Sequence, residues 1–195
     1  MAGDPNKPLS SRPKMDRDEW KKFCNKINEV GKYLHDHNMP LAYHHHMGTV
    51  IETEEETTRL LENTDEKIKL ILDTGHMLFA GGSSIKILND YKERIIHIHC
   101  KDMRKDILKK SLERNWSFRQ AFLEGAFTVP GDGCIDYLPL IRILKKNNYF
   151  FFECIISSTN EALMIPVGIA TTPIPTKEII EAKIFPPTVM GITSP

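Results

Sequence analysis

From Asp16 onward the chain sets apolar residues at Trp20, Phe23, Ile27, Val30 and Leu34 among charged and polar neighbours. Steps of three and four place them on one stripe of a helix over "DRDEWKKFCNKINEVGKYLHDHN". Asp16 is placed to cap that helix, Glu19 completes a capping box, and Asn38 with Pro40 ends it. The period then changes. "PLAYHHH" predicts a strand, and "ETEEETTRLLENT" a helix whose acidic first turn suits the positive end of the helix dipole. "KIKLILD" predicts a second strand, "SSIKILNDYKE" a helix and "RIIHIHCKD" a third strand. Two helical stretches follow, "DILKKSLERNW" and "SFRQAFLEGAF". A turn-rich "TVPGDGCID" then leads to a helix, "YLPLIRILKKN", and a fourth strand, "YFFFECI".

Four strands alternating with helices across residues 16–155 predict parallel strands with helical crossovers, in a doubly wound sheet or part of a (β/α) barrel. Residues 1–15 are rich in Pro, Ser and Lys and read as a loop. Residues 156–195 are rich in Pro, Thr and Ile, lack a sustained period apart from a short helical stretch near 176–183, and read as a tail. No internal repeat of fixed period is visible.

Composition narrows the class. With 195 residues and 41% hydrophobic content the chain can build one domain with a core. Its 26 basic and 26 acidic residues balance, leaving no electrostatic footprint for nucleic acid or an anionic membrane. No apolar run approaches the roughly 18 residues a membrane span requires. "MAGDPNKPLSSRPKM" lacks the apolar centre of a signal peptide, so a cytoplasmic location is expected. Cys24, Cys100, Cys134 and Cys154 are far apart with no CxxC, and are expected to be buried free thiols.

The chemistry collects at the strand ends, where parallel α/β folds bind ligands. The first predicted strand ends at His44, His45 and His46, the second at Asp73 with His76, the third at His97 and His99, and the fourth at Glu153. Strand period puts His44 and His46 on one face, His45 on the other, and His97 with His99 on a shared face. His, Asp and Glu donors without thiolate suit Mn²⁺, Co²⁺, Fe²⁺ or Zn²⁺. Taken singly, each residue has a structural alternative. A histidine can be a hydrogen-bonded strand end, Asp73 can shape a turn, and Glu153 can pair with a lysine. Lys101 and Asp102 can form a surface ion pair. The four strand ends together predict a shared metal site. In "TVPGDGCID", Gly131 and Gly133 around Asp132 allow either close approach to a ligand or a tight turn before a helix capped by Asp136.

"YHHHMGTVIETEEE", "LDTGHMLFAGG", "RIIHIHCKD", "NWSFRQAFLEGAFTVPGDGCID" and "LSSRPKMDRDEWKKF" together resemble the inosose dehydratases of inositol catabolism, within the xylose-isomerase-like TIM-barrel superfamily, over residues 8–155. The resemblance implies the C-terminal half, about four βα units, of a TIM (β/α)₈ barrel without its N-terminal half. A whole barrel takes about 250 residues, and a half-barrel is expected to self-associate through its open edges. It implies a divalent metal, Mn²⁺ or Co²⁺, on Asp73, His99 and Glu153, with His44 as fourth ligand and His46 or Glu52 as alternatives. It further implies His76, His46 and Lys101 as catalytic residues, and His45 and Asp132 as substrate contacts. The implied reaction dehydrates a small cyclic polyol ketone, 2-keto-myo-inositol, to a trihydroxycyclohexane-1,2-dione. After Glu153 the chain departs from the family pattern. The alternatives are therefore an inactive fragment or remnant, or a sugar ketose isomerase or epimerase of the same superfamily.

Overall fold

The computed structural model describes residues 2–147, 153–158 and 161–164, the last two stretches as backbone. Helix α1 (Arg17–Asp36) starts on the expected capping box. Asp16 accepts from the N–H groups of Asp18 and Glu19, and Glu19 accepts from that of Asp16. Such a cap contributes about 1 kcal/mol. The helix stops before Asn38, whose φ of 59° leaves the helical region. Its buried stripe differs in one place from the expected one. Trp20, Cys24 and Gly31 are buried, whereas Val30 stays exposed. A side chain at Gly31 would collide with Ile68 Cδ1, so the glycine is where α1 and the entry to the second strand come closest.

The elements then alternate: β1 (Ala42–His44), α2 (Glu54–Glu62), β2 (Lys69–Asp73), α3 (Thr74–Phe79), α4 (Ser84–Tyr91) and β3 (Ile95–Cys100). Next come β4 (Asp102–Met103), α5 (Lys105–Glu113), α6 (Phe118–Leu123), β5 (Phe127–Thr128), α7 (Tyr137–Lys146), β6 (Glu153–Ser158) and β7 (Glu161–Met164). Strands β1, β2, β3 and β6 pair in sequence order and in parallel, and β7 adds antiparallel to β6. Sequential parallel strands joined through helices are the mixed α/β arrangement the periodicity predicted. The short antiparallel pair β4–β5 was not expected. It splits "RIIHIHCKD" after Cys100 and gives the glycine-rich segment a fixed base.

Alternation along the strands sorts the two faces of the sheet. Leu70 and Leu72 of β2 and Ile98 and Cys100 of β3 pack with Ile87, Leu88, Leu140 and Leu144 of α4 and α7 in one core cluster. The intervening residues, Ile71, Asp73, His97 and His99, therefore face the other way. A second cluster joins α1 to α2 through Trp20, Cys24, Val50, Ile51 and Leu60. A third holds Met47, Phe79, Met103, Ala121 and Ala126.

The N-terminal segment, read as a loop, is stitched to the body. It holds one 3₁₀ turn at Leu9–Ser11, and its backbone bonds to Gly48, Trp116 and Arg119. Among the described cysteines Cys24 and Cys100 are buried as expected, but Cys134 is exposed because it sits in the glycine-rich turn. The fourth strand was expected to end near Ile155; β6 begins at Glu153 and runs on to Ser158. It extends past the carboxyl end of β3 to pair with β7, so the expected tail contains strand backbone at 156–158 and 161–164. The remainder of that tail, including the short helix expected near 176–183, lies outside the described residues. No helix among the described residues is long and apolar enough to cross a membrane.

Candidate functional site

Asp73 closes β2 and opens α3, and its two carboxylate oxygens have separate tasks. Oδ1 accepts from the N–H groups of Gly75 and His76, both at 3.1 Å, which caps α3. Oδ2 is the meeting point of the strand ends. It lies 3.3 Å from His44 Nε2, 3.3 Å from His99 Nδ1, 2.7 Å from Lys101 Nζ and 4.0 Å from His76 Nε2. Asp73 is fully buried. Burial alone would raise its pKa, but hydrogen bonds from His44 and His99 and the charge of Lys101 hold it well below the usual carboxylate range.

His44 Nε2, Asp73 Oδ2 and His99 Nδ1 lie within 4.8 Å of one another. Donors separated by 3.3 Å have the spacing of two ligands about 2.1 Å from one shared cation. Two imidazole nitrogens and one carboxylate oxygen make a donor set that fits a divalent first-row ion. The strand register explains the convergence. Asp73 pairs with His99 across β2 and β3, and His99 pairs with Glu153 across β3 and β6. Three of the predicted ligands thus share one row across neighbouring parallel strands; for Glu153 the backbone position alone is described. Glu52, the alternative ligand, is elsewhere. Its carboxylate bonds the Gly48 N–H at 2.6 Å and pairs with Arg12 at 3.2 Å.

The three consecutive histidines separate into three roles. His44 belongs to the cluster. His45, expected to contact substrate, is instead fully buried. Its Nε2 accepts the Asp73 N–H at 3.1 Å, because the loop after β1 folds this ring beneath the end of β2. Burial lowers its pKa to about 3, so the ring is neutral. His46 donates from Nδ1 to the Met47 carbonyl at 2.7 Å, which leaves Nε2 with a lone pair. Burial lowers its pKa as well. His46 lies over His76 with ring centroids 3.8 Å apart, and its centroid is 5.0 Å from that of Phe118.

His76 itself is 2% exposed and is enclosed by His46, Phe118 and Phe127. Burial lowers its pKa to about 2. His97, on the same face as His99, has its ring centroid 5.1 Å away.

A cleft of about 230 Å³ has His46 and Phe118 in its wall, with Gly3, Lys7 and Arg12 of the N-terminal segment opposite. The glycine-rich loop is held from below by a residue that looked like a surface partner of Lys101. Asp102 is fully buried and accepts from the N–H groups of Met103 (2.7 Å), Gly131 (3.0 Å) and Ile135 (2.9 Å). A Cβ on Gly133 would collide with that carboxylate. Lys101 turns the other way, to Asp73. Asp132, expected to contact substrate, is exposed and bonds Arg104 at 2.7 Å and Thr128 at 2.6 Å. The helix-cap alternative for this segment is present too, with Asp136 accepting the Leu138 N–H.

Three contributors escaped sequence reasoning. Thr74 Oγ1 sits 2.8 Å from the Lys101 carbonyl and 2.9 Å from Tyr137 Oη, tying the start of α3 to the end of β3 and to α7. Arg12 pairs with Glu52 and Glu56 and bonds the Thr49 carbonyl, fixing the loop that carries His46. The strand-end periodicity carries no signal for either. For Asp102 there was one, since a Gly-Asp-Gly turn close in space to a strand needs an acceptor for its N–H groups.

A family model described as xylose isomerase-like TIM barrel matches residues 1–170. Among curated proteins, an inosose dehydratase of Clostridium beijerinckii is 46% identical over 133 residues, which are 68% of this chain and 45% of that protein. The rhizopine catabolism protein MocC of Rhizobium meliloti is 41% identical over 142 residues, 73% of this chain and 44% of its own. An inosose dehydratase of Bacillus velezensis is 38% identical over 163 residues, 83% and 55% of the two chains. The chain spans about half the length of the curated relatives it matches.

Of solved structures, the probable 3-DHS dehydratase AsbF from Bacillus anthracis superposes with a TM-score of 0.59 at 20% identity, covering 78% of this chain and 54% of that one. The IOLI protein, described with a bound zinc atom, gives 0.54 at 19% identity, covering 72% and 48%. At these identities the likeness is one of fold.

Proposed function

Since the chain belongs to the xylose isomerase-like TIM barrel family, we propose that it carries the metal centre of an inosose dehydratase, a hydro-lyase acting on the cyclic polyol ketone 2-keto-myo-inositol. The observation that carries this reading is the meeting of His44 Nε2, Asp73 Oδ2 and His99 Nδ1 at the ends of three neighbouring parallel strands. The inosose dehydratases at 46% and 38% identity support the choice of reaction. We also infer that the four parallel strands are four βα units of the eight in a TIM barrel, spanning residues 16–155. Residues 1–15 are a leader stitched to that unit, and residues 156–158 continue β6 beyond its boundary.

A divalent cation, Mn²⁺ or Co²⁺ in our reading, would be held by His44, Asp73 and His99, with Glu153 in the same row, and would supply Lewis acidity toward a ketone oxygen and the enolate charge. His46 is the better placed base. It is half-buried at the cleft wall, and its Nε2 lone pair is available for the α-proton, whereas His76 is enclosed. Its lowered pKa suits return of that proton to the departing β-hydroxyl, so that one water is lost overall. His76 and Phe118 hold the His46 ring in place. Once the ion has taken its place on Asp73, the Lys101 ammonium is left to add positive charge beside the developing enolate.

The test is turnover of scyllo-inosose with Mn²⁺ or Co²⁺, followed by absorbance of the diketone. Asp73→Ala is expected to abolish it and His46→Gln to slow it by roughly 10²–10⁴-fold. Isomerisation of a ketohexose instead would assign the chain to the isomerases and epimerases, and no turnover at all would overturn the catalytic reading. Strand β1 has β2 as its one strand neighbour among the described residues. Self-association through that edge is part of the same reading and is measured by light scattering.

A further inference from the structure

We infer that Lys101 is the counter-cation of the metal-free centre, and that it gives way when a divalent ion binds, so that this lysine sets the affinity of the site. The inference rests on the metal-centre reading above. Asp73 offers one oxygen, not two. Oδ1 is occupied by the N–H groups of Gly75 and His76, and Oδ2 alone faces His44 and His99. That same Oδ2 is where Lys101 Nζ donates, at 2.7 Å, the shortest of its contacts.

The two partners differ in freedom. The Asp73 side chain is 0% exposed and pinned by the helix cap, while the Lys101 side chain is 41% exposed and has a path to solvent. A divalent ion arriving at Oδ2 meets a positive charge already on that oxygen, and like charges at such a separation repel strongly in a partly buried site. The lysine is the group that can move.

Both effects have the same sign. Removing the ammonium removes a competitor for Oδ2 and removes repulsion toward the ion. A lysine that merely braced the strand ends would give the opposite result, because its loss would loosen the ligands. The experiment is titration of the purified chain with Co²⁺, read by visible absorption with a competing chelator and by thermal melting with and without the ion. It covers wild type, Lys101→Met, Lys101→Gln and Lys101→Arg.

Lys101→Met and Lys101→Gln are expected to bind Co²⁺ about fivefold more tightly than wild type, equivalent to roughly 1 kcal/mol for a half-exposed ion pair. Without the ion they should melt lower than wild type and gain more on adding it. Lys101→Arg keeps a cation on Asp73 and should remain near wild type. Equal or weaker binding by both neutral variants, with wild type binding normally, overturns the inference and leaves the metal centre standing. Absence of any Co²⁺ band or melting shift in wild type removes the centre itself, and the exchange with it.

Discussion

The backbone N–H of Asp73 is held by the ring of His45, 3.1 Å from its Nε2, across 28 residues of sequence. This bond joins the loop after β1 to the end of β2, and it fixes the peptide from which the Asp73 carboxylate projects. His45 is fully buried, and its Nδ1 finds no partner among the described residues. His45 thus leaves its own Nδ1 unpaired while its Nε2 holds Asp73. His45→Ala would leave the Asp73 N–H unsatisfied and open a cavity, together costing about 2–4 kcal/mol of stability. Urea denaturation at neutral pH checks it. A loss within the ordinary surface range of about 0.5 kcal/mol would show that the bond is not supporting the fold.

Asp102 gives a second test of a buried acceptor. Its carboxylate receives the Met103, Gly131 and Ile135 N–H groups, and Gly133 leaves room for it. Asp102→Ala strands three donors at once and is expected to cost about 3 kcal/mol or more. The damage should be local first. Limited proteolysis ought to cut within residues 129–135 before it cuts elsewhere, and resistance of that loop in the variant would refute the latch.

The strand-end ligands could be read from sequence because two simple periods govern them. A period of 2 along β2 and β3 puts Leu70, Leu72, Ile98 and Cys100 in the helix-facing core and Asp73 with His99 on the opposite face. Parallel register then aligns Asp73, His99 and Glu153. What the periods do not encode is where a loop turns its side chains. His45 and Asp132 were expected at the substrate. One went into the interior and the other to Arg104 and Thr128, because each follows a turn set by contacts distant in sequence. Asp102 was misread for the same reason, since its partners lie 29 and 33 residues further on. The stripe on α1 slipped from Val30 to Gly31 because α1 makes its closest approach at that glycine, against Ile68.

Arg12 belongs to the same class of long-range anchors. Its guanidinium meets Glu56 at 2.8 Å and Glu52 at 3.2 Å, with 8% of the side chain exposed. Burial raises the pKa of Glu52 despite the Gly48 N–H and the arginine beside it. Arg12→Met would leave two carboxylates facing each other without a cation, a change that costs about 3–5 kcal/mol for a buried pair. It should also release residues 2–12 from Thr49. Hydrogen exchange at Gly3 and Leu9, whose N–H groups bond Gly48 and Trp116, should then accelerate ahead of the sheet. Unchanged protection there would mean the segment is held by other contacts.

Acid sensitivity follows from the buried imidazoles. Burial lowers His45 to about 3 and His76 to about 2, while the unfolded chain takes up those protons near 6.5. Between these values the unfolded state binds more protons than the folded one, so stability rises with pH and is lost as pH falls below about 6.5. Each ring would then cost roughly 1.4 kcal/mol at pH 5.5 relative to neutral pH. Asp73 does not oppose this loss. Its own pKa is lowered, so its contribution is complete above its unfolded value of 3.8 and fades only below that. The metal-free protein should therefore weaken between pH 7 and pH 5, well before its carboxylates titrate. In His76→Gln the slope of unfolding free energy against pH over that interval should drop by roughly a third to a half, because one of the protons that His45, His46 and His76 take up on unfolding is gone. Urea midpoints measured at pH 7.5, 6.5 and 5.5 for both proteins decide it. A slope shared by wild type and variant would show that His76 is protonated, or solvated, in the folded state.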